Sequence, residues 1–119
     1  MKKLLILLFS IFVLCTSSFA SCYDAESEAY DAYRDAKRAY NSSDLDSCQY
    51  YARKAYRHFS DVESYASSCG CYDAESEAYD GYRDARKARN SSDLDSCQYY
   101  ARKAYRHGSY AESEANSCN

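Results

Sequence analysis

Cys22, Cys48 and Cys69, followed by Cys71, Cys97 and Cys118, are the residues whose types and spacing most directly suggest chemistry. These are six of the chain's seven cysteines, Cys15 lying in the N-terminal apolar segment, and such a set can form disulfides, hold a metal or act as redox groups. Their only close pair is Cys69-Gly70-Cys71, which lacks the Cys-x-x-Cys spacing and nearby histidine of a tetrahedral zinc site. An even set of cysteines in a small exported chain reads instead as a disulfide framework.

Catalytic groups are harder to find. His58 and His107 are one repeated position, each beside an arginine, and read as boundary side chains rather than bases. Glu26 and Glu28, like Glu75 and Glu77, stand two apart and so project from different helix faces, not as a paired acid and base. Glycine-rich phosphate loops, nucleophile elbows and metal-binding helix motifs are missing from the sequence. The reading is therefore a non-enzyme with no catalytic residue, cofactor or metal ligand.

Fifteen tyrosines without a tryptophan form the oddest feature of the composition. Tyr23, Tyr30, Tyr33 and Tyr40 step by 7, 3 and 7, a helical stripe suited to packing between two halves of the molecule. Tyr50 and Tyr99 point away from any such seam. With Arg53 and Arg57, and with Arg102 and Arg106, they read as two equivalent patches that bind an acidic protein or glycan, with avidity from the duplication.

These residues sit on a duplicated frame. Residues 22–69 return as residues 71–118 at an offset of 49, with nine differences and Gly70 between the copies. In the first copy Cys22, Ala25, Ala29, Ala32, Ala36 and Ala39 step by 3 and 4, as do Leu45, Cys48, Ala52, Ala55, Phe59, Val62, Ala66 and Cys69. Both are heptad-like helical seams. Asn41-Ser42-Ser43 breaks them, with Ser43 and Asp46 as the expected cap of the second helix; this Asn-Ser-Ser, repeated at Asn90, reads as a turn rather than a glycosylation acceptor. Each helix of the hairpin opens acidic, and folding back at Ser42 sets Asp24, Glu26, Glu28 and Asp31 beside Arg53, Lys54 and Arg57, and Lys37 and Arg38 beside Asp46. Antiparallel pairing follows.

The expected fold is all-α: two tandem antiparallel helical hairpins with Ala/Cys seams, forming a disulfide-stapled four-helix bundle or a short solenoid. Alanine seams bury little apolar area, about 0.8 kcal/mol per methylene-sized group, so covalent bonds must supplement the core. In such hairpins Cys22, Cys69, Cys71 and Cys118 share one end, and Cys48 and Cys97 lie about 30 Å away. The expected bonds close each hairpin, Cys22 with Cys69 and Cys71 with Cys118, and clasp the two through Cys48 and Cys97. Cys69 needs an unwound last turn to reach Cys22. Phe59 and Val62 are answered by Gly108 and Ala111 in the second copy, so Phe59 is expected to fill the space left there, and Gly108→Phe to overpack it.

Residues 1–20 read as a signal peptide: Lys2 and Lys3, an apolar run from Leu4 to Leu14, and small residues before the cut after Ala20. The run is too short to span a bilayer. Residues 21–69 and 70–119 are the two hairpin repeats, without a transmembrane span. Removing the leader takes the net charge from −3 to about −5, which argues against nucleic acid and anionic membranes as partners. The expected function is non-catalytic binding or scaffolding by an exported protein, in the periplasm, at the cell surface or secreted, of bacterial type. The expected partner is a protein, a glycan or a second copy. Two alternatives are an envelope structural protein or lipoprotein anchored through Cys22, and a thiol redox or metal-binding protein.

Overall fold

The computed structural model describes residues 22–119; the signal-peptide reading of residues 1–20 lies outside the described residues. Four α-helices follow one another: α1 Cys22–Tyr40, α2 Leu45–Ser68, α3 Tyr72–Arg89 and α4 Leu94–Ser117. Each runs antiparallel to the one before, and α4 returns beside α1 to complete a four-helix bundle. Among the described residues no helix is long and apolar enough to cross a membrane.

The alanine seams are the core. Ala25, Ala29, Ala32, Ala36 and Ala39 of α1 and Cys48, Ala52, Ala55, Phe59, Val62 and Ala66 of α2 are buried, with their counterparts in α3 and α4. Small side chains set a short distance between helix axes, so the interior is narrow. Phe59 and Val62 are the largest fully buried side chains.

Local signals end each helix where the seam ends. The cap of α2 is Asp44, not Ser43: its carboxylate accepts from the Ser47 amide at 2.8 Å and the Ser47 hydroxyl at 3.0 Å. Asp93 repeats this for α4. A carboxylate satisfies the free amides of the first turn and also suits the positive helix start, which favours it over the hydroxyl. At the other end of α2, Gly70 takes a positive φ of 76°. Its amide bonds to Ser67 O and the Cys71 amide bonds to Ala66 O. This is a Schellman termination, and it turns the chain into α3 within three residues. The helix runs to Ser68 and the Cys69 amide still bonds to Tyr65 O at 3.0 Å, so Cys69 reaches Cys22 from the C-cap without the unwound last turn expected.

Three disulfides join Cys22 to Cys69, Cys48 to Cys97 and Cys71 to Cys118. The outer two close the hairpins and the central one links the diagonal helices α2 and α4. Cys48 and Cys97 are equivalent positions of the two copies, so their bond straddles an internal two-fold axis. Reciprocal contacts obey the same axis. Gln49 Nε2 donates to Ser91 O at 2.7 Å and Gln98 Nε2 to Ser42 O at 2.8 Å. Tyr33 packs edge-on against Tyr105, and Tyr82 likewise against Tyr56.

Within the core the axis is broken at the level of Phe59. A Cβ added to Gly81 would overlap the Phe59 ring, and one added to Gly108 would lie 2.9 Å from the Tyr33 Cα on α1. The space for Phe59 is thus made by Gly81 of α3, the counterpart of Ala32, which corrects the expectation that Gly108 supplies it. Gly108 instead lets α4 close onto the backbone of α1.

Candidate functional site

Helical phase decides which tyrosines remain available. Tyr50 lies two residues, or about 200° of helical turn, from the inward-pointing Cys48, and Tyr99 stands in the same relation to Cys97. Both rings are about half exposed. Because α2 and α4 are diagonal, the two rings face opposite sides of the bundle. Arg53 and Lys54 lie over the Tyr50 ring at 5.8 and 5.6 Å. Lys103, not Arg102, covers Tyr99, at 5.6 Å. Arg57, Arg102 and Arg106 are exposed but are not brought over either ring.

The four-tyrosine stripe of α1 is split in two by the packing. Tyr33 and Tyr40 are half-buried and both pack against Tyr105 of α4, as a contact between hairpins requires. Tyr23 is 70% exposed and Tyr30 49%, so the expectation of packing between hairpins fails for them. The split falls at the three-residue step from Tyr30 to Tyr33, which sets the second pair about 60° round the helix from the first. Each seven-residue step drifts only about 20°, so the two tyrosines of each pair share one environment.

An open concavity of about 630 Å³ follows α3 and α4 near the turn that joins them. Tyr79, Tyr82 and Tyr100 supply its aromatic surface, Arg83, Arg86 and Lys87 its charge, and Asn90, Ser91, Ser92 and Ser96 its polar floor. Arg83 lies 5.8 Å from the Tyr79 ring centre and Lys87 5.6 Å from that of Tyr100. Tyr99 packs edge-on against Tyr100 at 5.1 Å, so the patch expected around Tyr99 is continuous with this groove. A smaller hollow of about 240 Å³ joins Tyr50 and Arg53 to Arg89 of α3.

The two copies differ in how their cations are engaged. In the first, Arg34 pairs with Asp31 at 3.5 Å, Lys37 donates to the Tyr33 hydroxyl at 3.4 Å, and Arg38 stands 3.8 Å from Asp35. Their counterparts Arg83, Arg86 and Lys87 have no carboxylate within 4.0 Å among the described residues. Four of the nine differences between copies fall between residues 81 and 89 of α3, including Arg89 in place of Tyr40. No family model, curated protein or solved structure matches this chain. The site is therefore read from its own geometry.

Between the helices of each hairpin lies a polar cluster that sequence reading passed over. His58 Nδ1 of α2 stands 2.6 Å from Glu28 Oε2 of α1, and its Nε2 stands 3.4 Å from Asp35 Oδ2. His107 meets Glu77 at 2.8 Å and Asp84 at 3.5 Å in the same way. These contacts, with Lys103 to Asp84 at 3.8 Å in the second hairpin, are the polar links across the hairpins; Arg53, Lys54 and Arg57 make no ion pair with the acidic start of α1 among the described residues. The signal was present in the sequence. Glu28 and His58 are equidistant from Ser43, as are Glu77 and His107 from Ser92, so the hairpin register alone brings them together.

Two further carboxylates are perturbed. Burial raises the pKa of Glu63 above its ordinary value and the neighbouring Glu75 raises it further; burial and Glu26 do the same to Glu112. Each pair bridges the two hairpins, α2 to α3 and α4 to α1.

Proposed function

We propose that the chain is an exported, non-catalytic binding module whose partner presents acidic groups, on a protein or on a glycan. The observation that carries the reading is the groove of α3 and α4, where three cations without carboxylate partners converge between three tyrosines. Aromatic faces polarised by cations favour flat or ring-bearing ligands, and free cations favour anionic ones. Three disulfides suit an oxidising compartment, and with the leader at residues 1–20 they favour the periplasm, the cell surface or the medium of a bacterium.

A scaffolding role is the second reading. Tyr50 and Tyr99 face opposite ways, so the two patches are placed to bridge two partners rather than to grip one flat surface. The rival readings through the cysteines find less support. The Cys22 sulfur is bonded to Cys69, and a lipid thioether would need that sulfur free. The other four described cysteines are likewise in disulfides.

Retention on immobilised polyglutamate and on a uronate polysaccharide tests the proposal. The parent should bind at about 20 mM salt and elute as screening shortens the Debye length to about 3 Å at 1 M. The triple variant Arg83→Gln/Arg86→Gln/Lys87→Gln should pass through both matrices. Tyr50→Ser/Tyr99→Ser should weaken retention while shifting stability by less than about 0.5 kcal/mol. A parent that binds neither matrix, or a triple variant retained like the parent, rejects the reading.

A further inference from the structure

We infer that each hairpin carries a site for one divalent transition-metal ion of the zinc type, formed by Glu28, Asp31 and His58 in the first copy and by Glu77, Asp80 and His107 in the second. In each set one ligand atom from every residue lies within 4.8 Å of the others. Glu28 and Asp31 are three apart on α1 and therefore neighbours on one face. His58 reaches them from α2, so an ion there would be held by both helices. All three side chains are half-buried, which leaves one side of the site open to water as a fourth ligand.

A buried carboxylate points to the same conclusion independently. Asp35 is 1% exposed, and its Oδ1 has no hydrogen-bond donor; the Arg38 guanidinium stands 3.8 Å away as a charge only. Burying a carboxylate oxygen without a hydrogen-bond donor is costly. The other oxygen, Oδ2, faces His58 Nε2. When an imidazole binds a metal through one nitrogen, it ordinarily gives its other N–H to a carboxylate, which fixes the tautomer and strengthens the ligand. Asp35 stands in that place. It directs the lone pair of Nδ1 towards Glu28 and Asp31, and the charge delivered to the imidazole answers its own.

Ligand atoms around tetrahedral zinc are about 3.3 Å apart, given bonds of about 2.0–2.2 Å. The Nδ1–Glu28 contact must open by less than about 1 Å, a movement available to a carboxylate at the bundle surface. One nitrogen and two carboxylate oxygens favour zinc and its neighbours over calcium or magnesium, which prefer all-oxygen sites.

Titration of the intact, disulfide-bonded protein with Zn²⁺ alone, in a non-coordinating buffer, tests the inference. Calorimetry should count two ions per chain. His58→Gln and His107→Gln should each remove one ion and together both. Asp31→Asn/Asp80→Asn is the control for folding, because Asp31 pairs only with Arg34 and lies outside the hydrogen bonds that join the hairpin. Without metal its melting curve should stay close to the parent's, since the exposed Asp31–Arg34 pair is weak, yet it should bind at least about tenfold more weakly. Asp35→Asn should weaken the first site by about 10- to 100-fold. The inference is overturned if the parent takes up no Zn²⁺ at millimolar concentration, or if uptake survives in His58→Gln/His107→Gln or matches the parent in Asp31→Asn/Asp80→Asn.

Discussion

Glu63 and Glu112 show how single residues tune this bundle. Each has a folded-state pKa raised by burial and by a facing glutamate, Glu75 or Glu26. A raised carboxyl pKa means that the native state binds more protons than the unfolded chain, so stability falls as pH rises through the raised value. Glu63→Gln and Glu112→Gln should therefore raise Tm at pH 7 and lose that advantage below the ordinary carboxylate range. Water screens these partly exposed groups, so the gain should be under about 0.5 kcal/mol each; thermal melts at pH 7 and pH 3.5 measure it. At this scale the sequence was only partly legible. It singled out Tyr50 and Tyr99, whose phase opposes the seam, but it placed His58 only as a boundary side chain beside Arg57 and did not name its carboxylate partners. It also missed the open cations of α3, since whether Arg83 or Arg34 finds an aspartate depends on side-chain geometry that identical letters do not encode.

Single helices were more readable. Alanine at steps of three and four has few explanations besides a close-packed seam, and every seam alanine is buried. The level that phase could not resolve is the one where Phe59 meets Gly81, because which helix yields space depends on the offset between neighbours. Gly81→Ala isolates that contact. Alanine ordinarily gains up to about 1 kcal/mol over glycine inside a helix, but here its methyl would enter the Phe59 ring, at an overpacking cost of about 1–3 kcal/mol. Net destabilisation is expected. Phe59→Ala should cost about 3–5 kcal/mol on its own, and in that background Gly81→Ala should turn stabilising. Urea unfolding of the four-member cycle measures the sign change. A Gly81→Ala effect equal in both backgrounds would mean that the ring and the glycine do not share this space.

At the scale of the whole molecule, duplication has made a bundle whose halves are nearly alike and yet not interchangeable. Residues 21–69 and 70–119, prepared as separate peptides, would each close one disulfide and keep one free thiol, Cys48 or Cys97. A pair of first halves would set the Ala32 methyl against Phe59, and a pair of second halves would leave the space that Phe59 occupies unfilled. Air oxidation of an equimolar mixture should therefore yield the Cys48–Cys97 heterodimer beyond its statistical share, as read by mass spectrometry under non-reducing conditions. A purely statistical mixture would show that the broken symmetry at residues 59, 81 and 108 does not govern pairing. The disulfide on the two-fold axis thus has a meaning beyond stapling. An odd thiol in each repeat is what a self-associating subunit would use to join its twin. The present chain is then a covalent dimer written as a single polypeptide, whose subunits, once freed from having to match themselves, have specialised to match each other.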